Sequence, residues 1–310
     1  MRIELTLAAA ISVLTAKSAN AWGANGHMTV GLVAMEFLSP NALSFVQNSL
    51  GATYNFSLGP AATWADNVRS TAAFTWSAPF HFVDAQDNPP TSCSVSETRD
   101  CASGTCILSA IANYTARVVD TTLDDEQRQE ALKFVDHFIG DIGQPLHVEA
   151  VSLGGNDITA KCQGTKTNLH AVWDSGIINV LLKDTYQNDI NVWANTLIQR
   201  IKTGSYADLA AGWITCSSAT DPVASKRSIE HDIADILRRD VTPLACPLVW
   251  ASESNAFNCP SVFAFVPGED LCSPAYYAPN VPIIESQIAK QGFRLAAWLN
   301  VLFDGATNLP

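Results

Sequence analysis

Residues 136–147 read DHFIGDIGQPLH. His137 and Asp141 stand four residues apart, so on a helix they share one face, and His147 follows just beyond a Gly-Gln-Pro break. Residues 168–174, NLHAVWD, repeat the spacing with His170 and Asp174. One such pair is a weak sign, because chance or a surface hydrogen bond accounts for it. Two are much stronger, since each offers one point an imidazole nitrogen and a carboxylate oxygen, which are donors that zinc accepts. Phe138, Ile139 and Leu146 around the first pair, and Leu169, Val172, Trp173 and Ile177 around the second, make both helices largely buried. An unpartnered buried carboxylate is costly, and no Lys or Arg lies in either motif to form a buried ion pair, so the expected partner is a cation.

Helical periodicity governs the rest of the chain. Segments 29–38, 107–119, 124–142, 169–182, 191–202, 225–239 and 283–303 read as amphipathic or buried helices, and strand-like alternation is nearly absent. Asp124, Asp125 and Glu126 put carboxylates into one first turn, and Ser39-Pro40 supplies a cap and a first-position proline for another helix. Segments 85–105 and 246–282, the latter with its prolines, glycines and cysteines, read as long loops. No repeat, low-complexity tract or composition break divides the chain. The expected fold class is therefore all-α, a single mostly helical domain over 22–310 with long disulfide-stapled loops.

Residues 1–21 read as a secretory signal peptide: Arg2, an apolar stretch through Leu14, then Ala19-Asn20-Ala21 preceding cleavage before Trp22. That stretch is too short to span a bilayer and no longer one follows, so the mature chain is expected to be secreted, without a membrane anchor, as a monomer. Losing Arg2, Glu4 and Lys17 moves the formal charge from -12 to -13. So acidic a field repels nucleic acid at long range, and a polyanion would have to be drawn by a local positive site. Eight cysteines behind a leader indicate an oxidising compartment and up to four disulfides, not a thiolate metal site. Cys101 and Cys106 are expected to close a small loop, and spacing alone leaves the other pairings open. Asn55 and Asn113 head N-glycosylation sequons. Of the six histidines only His231 lacks such a partner beyond the adjacent Asp232.

Five motifs in order, Trp22-Gly23-Ala24-Asn25-Gly26-His27, Thr63-Trp64-Ala65-Asp66 with Arg69, His81-Phe82-Val83-Asp84, His137 to His147 and Asn168 to Asp174, carry a resemblance. The chain resembles the fungal zinc-dependent single-strand-specific nucleases of type S-one and P-one, whose relatives include plant endonucleases and trinuclear-zinc phospholipase C. The resemblance implies a trinuclear zinc cleft. A first Zn2+ would sit on Asp66, His81, His137 and Asp141, a second on His147, His170 and Asp174, and a third on His27 with the free amine and carbonyl of Trp22. Asp141 would bridge the first and third ions. Three Zn2+ against three carboxylates would leave the cleft positive, which reconciles an acidic protein with a polyanionic substrate.

The same resemblance implies that Asp66 orients the attacking water, Arg69 stabilises charge on the phosphoryl oxygens, and Phe82 and Asp84 stack on and hydrogen-bond a nucleobase. Stacking demands an unpaired base, which suits single strands. The implied activity is hydrolysis of single-stranded DNA and RNA to 5′-nucleotides, with removal of 3′-phosphates from 3′-nucleotides. The alternatives are a phospholipase C or general phosphomonoesterase on the same ions and, more distantly, a non-enzymatic secreted zinc-binding protein. Cys93 and Cys259 stand where the family has a long-range disulfide, whereas Cys162, Cys216, Cys246 and Cys272 look additional and their pairing stays open. Residues 162–167 lack the aromatic that a second nucleotide site in the family can carry.

Overall fold

The computed structural model describes residues 22–216 and 245–310; the helix expected at 225–239, with His231, lies outside the described residues. The chain runs through α1 (Ala24–Glu36), α2 (Pro40–Leu50), α3 (Leu58–Ala61), α4 (Trp64–Val68), α5 (Glu97–Asp100), α6 (Ile107–Val119) and α7 (Asp125–Asp141). A two-stranded antiparallel hairpin, β1 (Thr159–Cys162) with β2 (Thr165–Asn168), precedes α8 (Leu169–Ala171), α9 (Ile177–Thr185), α10 (Ile190–Lys202) and α11 (Ala207–Trp213). Beyond the undescribed stretch come α12 (Ala245–Asn255) and α13 (Pro274–Asp304). Three-ten turns at Thr75–His81 and Pro145–Val148 each contain one of the histidines singled out above. The molecule is mostly helical, as the periodicity implies.

Helix α1 is buried on most of its circumference, with Gly26, His27, Thr29, Val30, Gly31, Val33 and Ala34 all inside, so it can only be a central helix. It packs on α3, α7, α10 and α13. The approach to α13 is close enough that a Cβ on Gly292 would stand 2.6 Å from Val33 Cβ, which only glycine tolerates. The helix begins at Ala24 and not near Thr29, because packing of this segment outweighs its missing apolar periodicity. That earlier start brings His27 into the first helical turns.

Two other expectations change. Segment 246–282 is largely helical and not a long loop: α12 covers its first part, a π-helical turn covers Asn258–Val262, and α13 begins at Pro274 and carries Pro279 and Pro282 inside it. Side-chain bonds, one within the helix and two to other segments, hold this proline-rich first part of α13. Asn280 Nδ2 donates to Tyr276 O at 2.8 Å, Tyr276 Oη donates to Val262 O at 2.6 Å, and Trp173 Nε1 donates to Tyr276 Oη at 2.8 Å. Ser39 occupies the cap position of α2, but its hydroxyl makes no cap bond and turns to Asp304. Asp304, at the end of α13, accepts from Asn41 N and Ala42 N instead, while Asn300 Oδ1 takes Ser39 N at 2.7 Å. Asp124 does cap α7, accepting from Gln127 N at 2.8 Å.

Four disulfides join Cys93 to Cys259, Cys101 to Cys106, Cys162 to Cys272 and Cys216 to Cys246. Both sequons expose their asparagine, Asn55 in a left-handed conformation after α2 and Asn113 on the surface of α6.

The Cys93–Cys259 bond closes a loop with a sequence separation of 166. Replacing both cysteines by alanine is expected to lower the unfolding free energy by up to about 5 kcal/mol on the chain-entropy account. Urea unfolding of wild type and variant tests this, and coincident midpoints would contradict it.

Candidate metal centre

Helices α1 and α7 and the two three-ten turns converge on one buried carboxylate, Asp141. His27 Nε2 lies 3.1 Å from Asp141 Oδ1; His81 Nδ1 and His137 Nε2 each lie 3.1 Å from Asp141 Oδ2. His81 Nδ1 and His137 Nε2 are 3.0 Å apart, and Asp66 Oδ1 stands 3.7 and 3.6 Å from them. A second group follows at the other end of the cluster, where His170 Nε2 lies 3.1 Å from Asp174 Oδ2 beside His147. Three sets of donors, His27-His137-Asp141, Asp66-His81-His137 and His147-His170-Asp174, each lie within 4.8 Å of one another and could hold a metal ion.

The donors fit zinc. Neighbouring ligand atoms around a tetrahedral zinc are about 3.3 Å apart, given metal–ligand bonds near 2.0–2.1 Å, and the spacings here run from 3.0 to 3.7 Å. Two imidazole nitrogens 3.0 Å apart can share only one proton, and His147 Nε2 and Asp66 Oδ1 are buried with no hydrogen-bond partner. Such a site is costly for protein alone and favourable around cations.

Main-chain carbonyls orient three of the rings. His137 Nδ1 donates to Ala62 O at 2.6 Å, His147 Nδ1 to His81 O at 2.7 Å and His170 Nδ1 to Gly154 O at 2.6 Å. With Nδ1–H used in this way, Nε2 is the atom each ring turns to the cluster, and its lone pair is what a neutral ring offers there. Gly154 lies in a run of four left-handed residues, Ser152 to Gly155, and the strained turn aims its carbonyl at His170. His27 packs flat against His137, ring centroids 3.8 Å apart, and over Gly140, where a Cβ would come within 3.0 Å of His27 Nδ1.

Charge follows from this crowding. Burial and the charge of His137 push the His27 ring below its ordinary range, and burial takes His81 down to about 4 and His147 down to about 3. His137 goes the other way: burial opposes its charge, but Asp141 and then Asp66 raise it to about 10. Asp66 and Asp141 resist the upward push of burial and sit below the carboxylate range, chiefly through His137. Burial lifts Asp174 to about 6.

The structure thus gathers all eight side chains that the motifs single out, although they come from separate segments. Trp22 is fully buried, its indole Nε1 donating to Gly140 O at 3.0 Å, and the next residue, Gly23, donates N–H to Asp174 O at 2.8 Å. That residue is pinned on both sides to main chain at or beside the acidic donors. Arg69 Nε lies 3.4 Å from Asp66 Oδ1, just past the end of α4. Asp66 is the one acidic or imidazole donor of the eight that is not buried. Phe82 is half-buried and Asp84 exposed on an extended segment. Four bonds anchor it beside the cluster: Val83 N to His147 O, His147 Nδ1 to His81 O, Ile107 N to Phe82 O and Ala150 N to Ala85 O.

Sequence reasoning missed Gln144, read there only as part of a break, and Leu153, a 69 % exposed leucine in the left-handed turn. It also missed the π-helical turn Val172–Gly176, which widens the expected helix between His170 and α9. Gly176 faces the Cys162–Cys272 bond there, and a Cβ would stand 3.1 Å from Cys162 Sγ. Gln144 sits between Gly143 and Pro145 in a helix break and gives no periodic signal; Leu153 would be found by the Ser-Leu-Gly-Gly turn that exposes it.

A family model described as S1/P1 Nuclease matches residues 22–304. The chain is 42% identical over 283 residues to Nuclease P1 of Penicillium citrinum, covering 90% of this chain and 97% of that protein. It is 39% identical over 285 residues to Nuclease S1 of Aspergillus oryzae, covering 91% of each. Endonuclease 2 of Arabidopsis thaliana is 32% identical over 299 residues, covering 93% of this chain and 92% of its own length.

Because the ligand form of an imidazole is neutral, ion binding must displace the proton that His137 keeps up to about pH 10 in the metal-free protein. Zinc binding at pH 8 is expected to release roughly one proton from this residue, with apparent affinity rising with pH. Calorimetry in two buffers of different ionisation enthalpy measures the release, and identical heats in both would contradict it.

Proposed function

We propose that this chain, which belongs to the S1/P1 nuclease family, hydrolyses phosphodiester bonds of single-stranded DNA and RNA to 5′-nucleotides and removes the phosphate from 3′-nucleotides. The observation that carries this reading is the set of three adjoining His and Asp groups built around Asp141. In our reading Asp66, His81, His137 and Asp141 hold one Zn2+, His147, His170 and Asp174 a second, and His27 with the amine and carbonyl of Trp22 a third, Asp141 serving two ions. Bound there, zinc supplies Lewis acidity and lowers the pKa of water towards about 7.

The remaining roles belong to side chains. Asp66, reached from solvent and held well below the usual carboxylate range, is a poor proton acceptor, so its work is to orient the attacking water. Arg69 beside it offers a guanidinium to phosphoryl oxygens as charge builds on them. Phe82 and Asp84 take an unpaired nucleobase, the ring by stacking and the carboxylate by a hydrogen bond. A paired base would have to leave its stack first, which is the physical basis of single-strand preference. The negative formal charge of the whole chain makes long-range capture of substrate weak, so binding relies on the cleft itself.

The free amine at Trp22 requires removal of residues 1–21, and we take these as a secretory signal peptide and the mature protein as secreted, monomeric and glycosylated at Asn55 and Asn113. Among the described residues no helix is long and apolar enough to cross a membrane.

Elemental analysis of the mature protein is expected to find about three zinc ions per chain. A form retaining one extra residue before Trp22 should hold one ion fewer and lose most of its activity; full zinc content with full activity would overturn the role of the amine. Phe82→Ala, which spares every metal donor, should cost about fivefold to 150-fold in kcat/KM on single-stranded oligonucleotides, the equivalent of roughly 1 to 3 kcal/mol of stacking. A phosphoester without a nucleobase should be hydrolysed almost as before. Equal losses on both substrates would reduce Phe82 to a support of the metal site, and hydrolysis of phosphatidylcholine with none of single-stranded DNA would reject the nuclease reading.

A further inference from the structure

Gln144 is fully buried and both ends of its amide are committed. Its Oε1 accepts from Leu146 N at 2.6 Å, and its Nε2 donates to Asp174 Oδ1 at 2.6 Å. These partners fix the orientation of the amide, since only nitrogen can donate to a carboxylate and only oxygen can accept from a main-chain N–H. The first bond caps the three-ten turn that presents His147, and His147 N itself returns to Gln144 O at 3.0 Å. The second takes one oxygen of Asp174. The other oxygen, Oδ2, is the one that lies 3.1 Å from His170 Nε2.

We infer that Gln144 is a positioning residue that restricts Asp174 to one-oxygen coordination and so sets the affinity of the ion held by His147, His170 and Asp174, separately from the other two. The inference rests on the metal reading above. One planar side chain ties together donors from two distant segments, the Pro145–Val148 turn and the helix after β2. Without it Asp174 is free to rotate or to bind through both oxygens, and the turn carrying His147 loses its cap. The Gln144 side chain bonds to no atom of the other two groups, and the bond from Gln144 N to Asp141 O at 2.9 Å runs through main chain that a substitution leaves in place, so their ions should be untouched. Partners that orient metal-binding side chains in this way are typically worth about 10-fold to 100-fold in affinity.

The experiment is a zinc titration of the mature protein against a competing chelator, for wild type, Gln144→Met and Gln144→Glu. Gln144→Met keeps the volume and removes donor and acceptor. Gln144→Glu keeps an acceptor for Leu146 N, so it guards against a variant that fails to fold, and replaces the donor to Asp174 with a second acceptor. Both should show one ion weakened about 10-fold to 100-fold at pH 8 with the other two unchanged. A merely structural glutamine would lower the thermal stability of metal-free and metal-loaded protein alike and leave all three affinities in place, and that result overturns the inference. So does a uniform weakening of all three ions, or tighter binding by Gln144→Glu. If wild type itself fails to bind three ions, the metal reading falls instead.

Discussion

A fully buried carboxylate surrounded by imidazoles is the constraint on which the rest of this structure depends. Asp141 lies within about a hydrogen-bond length of His27, His81 and His137, and His147 Nδ1 stands 3.7 Å away. Those residues come from α1, the Thr75–His81 turn, α7 and the Pro145–Val148 turn, so four separate pieces of chain must meet at one point. Protein groups alone cannot satisfy that meeting: nearby nitrogens compete for protons, and burial penalises every charge. The arrangement stands when cations complete it, and the free energy of binding them is then shared by every segment they join. Packing around α1 and the metal cluster is therefore one problem and not two.

Much of this was readable in advance, for identifiable reasons. The donors sit at four-residue spacing on α7 and across α8 and the following turn, and helical periodicity is the strongest local signal a chain carries. Residues whose role depends on distant partners were harder to see. Nothing local marks Asp304 as the cap of α2, because the N–H donor of Ala42 that it accepts from lies 262 positions away in the chain. Nor does anything local announce that Pro279 and Pro282 stand inside α13, where bonds from Asn280, Tyr276 and Trp173 to tertiary and helical partners outweigh proline's usual effect. The Cys162–Cys272 and Cys216–Cys246 pairings depend on the same long-range approach.

Helix α13 links these levels. Its first turns hold Trp173, beside the second donor group; its middle takes Gly143 O through Gln287 Nε2 at 2.8 Å, directly before Gln144; and its last turns bind the end of α1 and the start of α2. One long helix thus runs from the residues beside the second donor group to the C-terminal end of the central helix. The sequence shows its length only in part, since the prolines obscure where it begins.

Three of the five cluster histidines are held by carbonyl oxygens of Ala62, His81 and Gly154, and none of those acceptors belongs to a side chain. Orientation is stored in the path of the backbone. Substitution at position 62 that preserves the path leaves its acceptor in place, so that position is free to drift in identity while its oxygen stays indispensable. A survey that ranks positions by the chemistry of their side chains would pass over it, and transplanting the donor residues into another scaffold without the loops that supply these oxygens would carry the ligands but not their aim.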